Sequence, residues 1–509
     1  TYSAPMSESE SSPVSAPSDE VVAKSVRGAA TTTVAGLLGR AAGLVTTLLV
    51  THFVQKSEYG QANLALIIAT VANSLTLLAP QQALLTRRDR FEEAASLVQR
   101  YVLWIGAVVF GGLYLLGRPL LGVLQEPTAL PLLQLYCLAL WFERVALIPA
   151  IKLRYRLQFG DLVRVDLLGD AVYVVVTMGA AVLGSGAICL PLGMLSRHLT
   201  RAGYLRVRLD LPVLPGLPPR LTDESRRLLG ELWQMTWPIY LSSLVELSTL
   251  YMDNVFVGRV YSIGAQGVYA VGYTLVMTPS ETIAMYAASA MVRALGLSDR
   301  DRRQQNFLQG LRYVSLLLLP LAVGAALVAP TFEAALLPER WHGVAQVMSG
   351  LSLGALSLGF HRMAFAQLTA LHRSRLAGAI YAMQLFCFVV GLWIVAQTDP
   401  GRVQMERVAL AVSVALAMAA SCGVAMTMWV ESLRFSKIAA ALAPAVLATL
   451  MMAMVLLSLR VATARLNVAA TSLRLVGEVM IGAGSYVLCL RLGYPALFPE
   501  VRNFIARRK

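Results

Sequence analysis

Long apolar runs alternate with short polar linkers along this chain, and fourteen of them can be laid out between residue 26 and residue 490. A helical crossing of a bilayer core takes roughly 20 apolar residues. Runs of that order lie at 26–53, 61–85, 101–124, 130–153, 162–183, 187–204 and 232–257, then at 267–291, 311–336, 344–371, 376–396, 408–430, 438–459 and 473–490. They are long and continuously apolar, which favours helices over barrel strands, because a backbone exposed to lipid must satisfy its own hydrogen bonds. The pattern predicts an all-α polytopic membrane protein with fourteen transmembrane helices.

Composition points the same way. Hydrophobic residues make up 57% of the chain, charged residues 14%, and the mean hydropathy is +0.63, outside the range of soluble domains of this length. The formal charge of +14 is a matter of where the arginines lie. With the N-terminus inside, about 31 of the basic residues fall in linkers on the inner side and about 9 on the far side, with Arg40, Arg144 and Arg362 inside spans. The inner linkers include Arg87, Arg88 and Arg90, the group Arg197, Arg201, Arg206 and Arg208, and the group Arg300, Arg302 and Arg303. The positive-inside rule therefore places both termini in the cytoplasm. The charge is a topology signal, and no nucleic-acid partner is expected. Residues 1–22, rich in Ser, Pro and Glu, read as a disordered tail with no removable signal peptide, and the basic end at 493–509 suits anionic headgroups among the membrane lipids.

The chain also repeats itself. Glu58-Tyr59-Gly60 has a counterpart in Ala265-Gln266-Gly267, Leu124-Gln125-Glu126 in Leu337-Pro338-Glu339, and Arg144 with Gly160 in Arg362 with Gly378. The offsets grow from 207 to 213 to 218 residues, as small loop insertions produce. Six helices per unit give both units the same orientation, so the expected architecture is two pseudo-symmetric six-helix lobes, 23–208 and 229–431, with a substrate path between them. The Pro-rich segment 209–228 is the tether, and 432–492 adds two C-terminal helices.

Taken in order, these stretches resemble a known family over nearly the whole chain. Gln55-Lys56-Ser57-Glu58-Tyr59-Gly60 is similar to the loop after the first helix of Wzx-type oligosaccharide and polysaccharide flippases. Leu84-Leu85-Thr86-Arg87-Arg88-Asp89 is similar to the loop after the second, and Arg156-Leu157-Gln158-Phe159 to the one after the fourth. Asp253-Asn254-Val255-Phe256-Val257-Gly258-Arg259, followed by Gly267-Val268-Tyr269 and Pro279, resembles their seventh and eighth helices. The family belongs to the multidrug/oligosaccharidyl-lipid/polysaccharide (MOP) exporter superfamily. The resemblance implies that a polyprenyl-diphosphate-linked oligosaccharide is turned from the cytoplasmic to the outer leaflet of the bacterial inner membrane by alternating access. Polysaccharide polymerase and glycosyltransferases are the implied partners. A cation-coupled multidrug exporter of the same superfamily is the alternative.

Enzyme chemistry finds little support in the residues. Cys137, Cys189, Cys387, Cys422 and Cys489 all fall in spans without a Cys-x-x-Cys pair, no His-Glu-x-x-His or phosphate-binding Gly-Lys-Ser/Thr loop is present, and no metal or cofactor is expected. The chemistry lies in the spans instead. A charge at mid-helix costs about 2.5–3.5 kcal/mol, so it needs a cavity or a partner. Arg40, between Gly39 and Gly43, is read as cavity-facing. Arg144 and Arg362, at equivalent places in the repeat, suit a diphosphate if the lobes bring them to one axis, and snorkelling to the inner headgroups is their bland reading. Buried carboxylates exchange protons or coordinate Na+, so Glu246, Glu281 and Asp253 are the candidates for coupling to H+ or Na+ as the driving ion. Glu143, Asp166 and Asp170 read as structural partners of arginines. Pro149, Pro238, Pro279 and Pro320 interrupt helix hydrogen bonding within spans, and Tyr240, Tyr251, Tyr269, Tyr273 and Tyr286 could face sugars.

The orientation is open to test. A cysteine at Ser57 or Gly401 should react with an impermeant maleimide from outside intact cells, and one at Ser298 or Ser374 should not. Labelling at Ser298 from outside would reverse the assignment.

Overall fold

A computed structural model describes residues 19–76, 91–209, 250–295, 299–371, 373–398, 405–466 and 471–495, with a few isolated positions between 223 and 247 and at 497 and 499. Among the described residues every regular element is a helix. The long helices are α1 (Asp19–Val50), α2 (Lys56–Thr76), α3 (Phe91–Val123), α4 (Leu130–Tyr155), α5 (Phe159–Val182) and α6 (Cys189–Arg208). The helical segment 250–260 is α7. Then follow α8 (Ile263–Leu295), α9 (Arg300–Leu336), α10 (Val344–Ala370), α11 (Ser374–Gln397), α12 (Met405–Glu431), α13 (Phe435–Arg465) and α14 (Ser472–Gly493). Twelve of the fourteen expected spans fall on these helices, and the described parts of the other two, 61–76 and 250–257, fall on α2 and α7.

Ten of them are long and apolar enough to cross a membrane, and the chain is a multi-pass membrane protein. The remaining four are informative. The spans expected for α2 and α7 lie partly outside the described residues. α6 carries Arg197, His198 and Arg201, and α8 carries Thr274, Thr278, Ser280, Glu281 and Thr282, so their polarity marks helices with something other than lipid to face. Elsewhere large apolar side chains stand outward: Val108 and Leu115 on α3, Phe386 and Trp393 on α11, Met454 on α13 and Met480 on α14 are all exposed. Such a surface is stable only against hydrocarbon.

Local sequence explains how the helices start, stop and face. In α4, Pro131 occupies the first turn, where its missing N–H costs no helix bond. Lys152 and Arg154 close the last turn, beside the negative end of the helix dipole. Its buried positions Leu133, Tyr136, Cys137, Leu140 and Arg144 recur every three or four residues and define one inward face. Proline also lies inside α3, α8, α9 and α13.

Helices six apart in order pack on equivalent neighbours. α4 packs on α2, α3 and α6, and α5 on α6; six helices later α10 packs on α8, α9 and α12, and α11 on α12. α13 and α14 pack on each other and on α9, outside this scheme. Equivalent loops share detail too: the one after α3 contains a 3-10 turn at Pro127–Ala129, and the one after α9 contains another at Glu339–Trp341.

The two repeats meet chiefly where α2 crosses α8. A Cβ at Gly60 would collide with the carbonyl oxygen of Ile263 and lie 3.1 Å from the backbone nitrogen of Gly267. One at Gly267 would collide with the carbonyl oxygen of Lys56 and lie 3.1 Å from the nitrogen of Gly60. Each glycine is the repeat counterpart of the other, so the contact is reciprocal, as across a two-fold axis. Around it the loops following odd-numbered helices close together. Arg340 Nη2 donates to the carbonyls of Thr51 (2.9 Å) and His52 (2.6 Å), and buried Trp341 Nε1 donates to Thr51 (2.8 Å). They satisfy carbonyls at the end of α1 that have no partner within the helix. Tyr59 meets the Trp341 ring edge-on at 5.6 Å, and Asn63 donates to Asn254 at 3.2 Å.

On the opposite face the even-numbered loops are tied within each repeat. Glu431, 1% exposed, accepts from Arg303 Nε (2.9 Å) and Gln367 Nε2 (3.0 Å). Glu92 pairs with Lys152 and Arg156, and the Lys152 ammonium holds its carboxyl below the usual range.

Replacing Gly60 by Val should force α2 and α8 apart. Overpacking of this kind costs about 1–3 kcal/mol, so the variant should unfold several degrees below the parent in detergent, and a cysteine at Asn63 should label faster. An unchanged melting temperature and labelling rate would contradict the close backbone crossing.

Candidate functional site

Between the repeats lies a cavity of about 420 Å³ walled by α1, α5, α6 and α8. Arg40 reaches it from α1, ten residues before Val50, about 15 Å along the helix from that end. Its Nη1 donates to Thr282 on α8 at 2.6 Å, so the guanidinium links the two repeats. A glycine stripe gives α1 its close approach. A Cβ at Gly36 would lie 2.5 Å from the Tyr286 hydroxyl, one at Gly39 would collide with the Asp170 carboxylate, and Gly43 has open space above it.

The facing wall carries two ion pairs. Arg197 Nη2 lies 2.5 Å from Asp170 Oδ1, and Arg201 Nη2 lies 2.6 Å from Asp166 Oδ1. Asp166 and Asp170 are four apart on α5 and Arg197 and Arg201 four apart on α6, so each pair shares a helix face and the two ladders oppose one another. Gly169 makes room for them: a Cβ there would lie 2.9 Å from Arg201 Cγ and 3.4 Å from Arg197 Cγ. Tyr173, Thr274, Thr278 and Tyr286 complete a lining of hydroxyls.

Of the residues singled out by sequence, Arg40, Asp166, Asp170 and Tyr286 line this cavity, together with the inner arginines Arg197 and Arg201. Arg144 and Arg362 do not: the contacts described for Arg144 and the cavity lined by Arg362 each lie within one repeat. Arg144 is 1% exposed. Its Nη2 donates to the Asn73 carbonyl (2.8 Å) and to Asn73 Oδ1 (2.5 Å), and its Cζ stands 5.2 Å from the centre of the Phe110 ring. Gly106 leaves space for its stem, a Cβ there falling 2.6 Å from Arg144 Cδ. Arg144 therefore does not snorkel either, because α2 supplies its acceptors. Arg362 lines a second, much smaller cavity of about 20 Å³ in the other repeat, with Glu281, Tyr273, His361, Tyr381 and Gln384.

The acidic candidates separate as well. Glu281 is in that small cavity. Asp253, fully buried, accepts from Tyr269 Oη at Oδ2 (2.8 Å) and from the Asn254 backbone (2.7 Å) and side chain (3.0 Å) at Oδ1. Glu246, Pro238 and Tyr240 lie outside the described residues. Glu143 accepts from Asn73 Nδ2 at 3.3 Å.

Arg197 and Arg201 are cavity-lining residues that sequence reasoning misses. Their position places them in an inner linker, but α6 runs on to Arg208 and holds them in the cavity wall. The signal was present in the phase of the residues, two arginines four apart on one helix following two aspartates four apart on the preceding one.

The polysaccharide biosynthesis protein family matches residues 49–346 of the chain. Lipopolysaccharide biosynthesis protein WzxC of Escherichia coli (strain K12) is 20% identical over 347 residues, covering 65% of this chain and 67% of that one. Among solved structures, the lipid II flippase MurJ in an inward closed conformation superposes with a TM-score of 0.68 at 13% identity, covering 91% of this chain and 99% of that one. A multidrug resistance MATE family transporter of the MOP superfamily, inward-facing, gives 0.61 at 14% identity over 77% and 94% of the two chains. At these identities the structural likeness establishes a shared fold.

The two kinds of arginine should respond differently to truncation. Hydrogen bonds to a charged group are worth about 1.5–3 kcal/mol each, so Arg144→Ala should lower the melting temperature and the membrane abundance by that route. Arg40→Ala, which gives up the single bond to Thr282 at a cavity wall, should lower both by less. Equal melting temperatures for Arg144→Ala and the parent would remove the structural role.

Proposed function

Because this chain belongs to the polysaccharide biosynthesis protein family, we propose that it is a flippase that moves a polyprenyl-diphosphate-linked oligosaccharide across the bacterial inner membrane for surface or exopolysaccharide synthesis. The observation that carries this reading is a cavity at span depth, between two repeats, whose walls hold guanidinium groups. Diphosphate oxygens accept the paired, planar donors of arginine, and hydroxyls from Thr and Tyr suit sugars.

In this reading both termini are cytoplasmic, and the face closed by Arg340, Trp341 and the Gly60–Gly267 contact is the outer one. Substrate enters the cavity from the cytoplasmic leaflet, and alternating access then requires that seam to part. Arg40 is the proposed first contact for the diphosphate, since it joins the cavity wall to the facing repeat through Thr282. Arg144 and Arg362 serve their own repeats, and Glu281, enclosed with Arg362, is the proposed position for coupling to H+ or Na+. An exporter of cationic drugs is the weaker alternative, because both cavity carboxylates are already matched by arginine.

Loss of one charge-assisted bond of about 1.5–3 kcal/mol corresponds to roughly 10- to 150-fold in binding. Arg40→Ala should therefore lower polymer export at least about tenfold when it replaces the native protein in its own host, and Arg40→Lys should keep part of it. Full export by Arg40→Ala at normal membrane abundance would overturn the anionic-substrate reading.

A further inference from the structure

Beyond the placing of a diphosphate near Arg40, we infer that Asp170 and Asp166 are internal competitors for the substrate's phosphate oxygens. They occupy Arg197 and Arg201 while the cavity is empty and are displaced when a diphosphate binds. The inference rests on the flippase reading and adds two substrate-binding arginines to it.

The geometry of the pairs leaves donors of both arginines unused. Each carboxylate engages its arginine through a single Nη2, and the Nε donors of Arg197 and Arg201, both buried, have no hydrogen-bond partner. Asp166 Oδ1, although close to Arg201, makes no aligned hydrogen bond either. A guanidinium satisfies a carboxylate best through two parallel N–H donors, and neither pair does so. Buried unmade donors are costly, so a ligand that fills them gains that energy on binding.

Glu431 shows what a settled pair looks like in the same molecule. Its side chain is 2% exposed, and it takes Arg303 through Nε as well as Gln367. Arg197, at 36%, is more open than its partner Asp170 at 11%, whereas Arg201 at 23% is as exposed as Arg303 and its partner Asp166 stands at 31%. Both pairs thus line the cavity, with Asp170 set behind Arg197 and Asp166 beside Arg201.

Charge sets what can displace them. A carboxylate brings one negative charge and two oxygens to one arginine. A monovalent anion of similar size offers no advantage over a tethered neighbour, while a diphosphate presents more charge and enough oxygens to engage two guanidinium groups one helical turn apart. The arrangement would therefore reject small monovalent anions and still release its cargo, because the carboxylates re-form their pairs as the diphosphate leaves. Gly39 places α1 directly against the Asp170 carboxylate, so movement of α1 bears on the same switch.

The test uses the full chain purified in detergent, with inorganic pyrophosphate as the probe and calorimetry as the readout. Asp170→Asn and Asp166→Asn should each tighten pyrophosphate binding by about tenfold, while Asp170→Asn combined with Arg197→Gln should weaken it below the parent. Acetate should not displace pyrophosphate from the parent protein. The inference is overturned if either folded asparagine variant binds pyrophosphate no more tightly than the parent. It is also overturned if both variants fail to fold, since the pairs would then be structural. If Arg40→Ala, Arg197→Gln and Arg201→Gln all leave pyrophosphate binding unchanged, the diphosphate-substrate reading itself falls, a different result from the loss of the competitor role alone.

Discussion

Cations held within hydrocarbon need partners, and the interior of this protein is arranged around that requirement. An arginine at span depth has no water to retreat to, so each one dictates what stands opposite it. Arg144 takes the carbonyl and side chain of Asn73. Arg197 and Arg201 take the two aspartates of α5. Arg40 takes a threonine from the facing repeat. The helices bearing these groups or their partners meet one another through them, and the strongly apolar α11, α13 and α14 present large apolar side chains outward.

One residue type thereby performs two separable tasks. Arg144 is immobilised, with its stem against Gly106 and its charge over Phe110, and it holds α2, α3 and α4 in register. Arg40, Arg197 and Arg201 sit where water or a ligand can reach them. Burial, more than position along the sequence, distinguishes the scaffold from the site.

Much of this was legible in the sequence, for physical reasons that stop at a definite point. Run length revealed the helices, since a bilayer demands about 20 residues whatever the fold. The pairing of Gly60 with Gly267 was readable as a repeat, although not that the two glycines touch. The rotation of each helix about its axis was not readable, because a helix apolar on most sides shows little periodicity. That is why the depth of Arg144 was legible in the sequence and its neighbours were not. Arg197 and Arg201 were hidden by a different ambiguity: arginine near the end of a span looks alike whether it belongs to a cytoplasmic linker or to the last turns of a polar helix. Asp166 and Asp170, read as partners of arginines, held the missing information, since a pair of carboxylates on α5 implies cations at the same depth on a neighbouring helix.

The reciprocal contact of Gly60 and Gly267 has a consequence for how such a molecule can arise. A surface that is complementary to itself under a two-fold rotation needs no second invention. Two copies of one six-helix unit, inserted in the same orientation, would meet through this crossing without any change of sequence, each supplying the glycine that admits the other's carbonyl. Joining the copies in one chain then frees the halves to diverge everywhere except at that crossing.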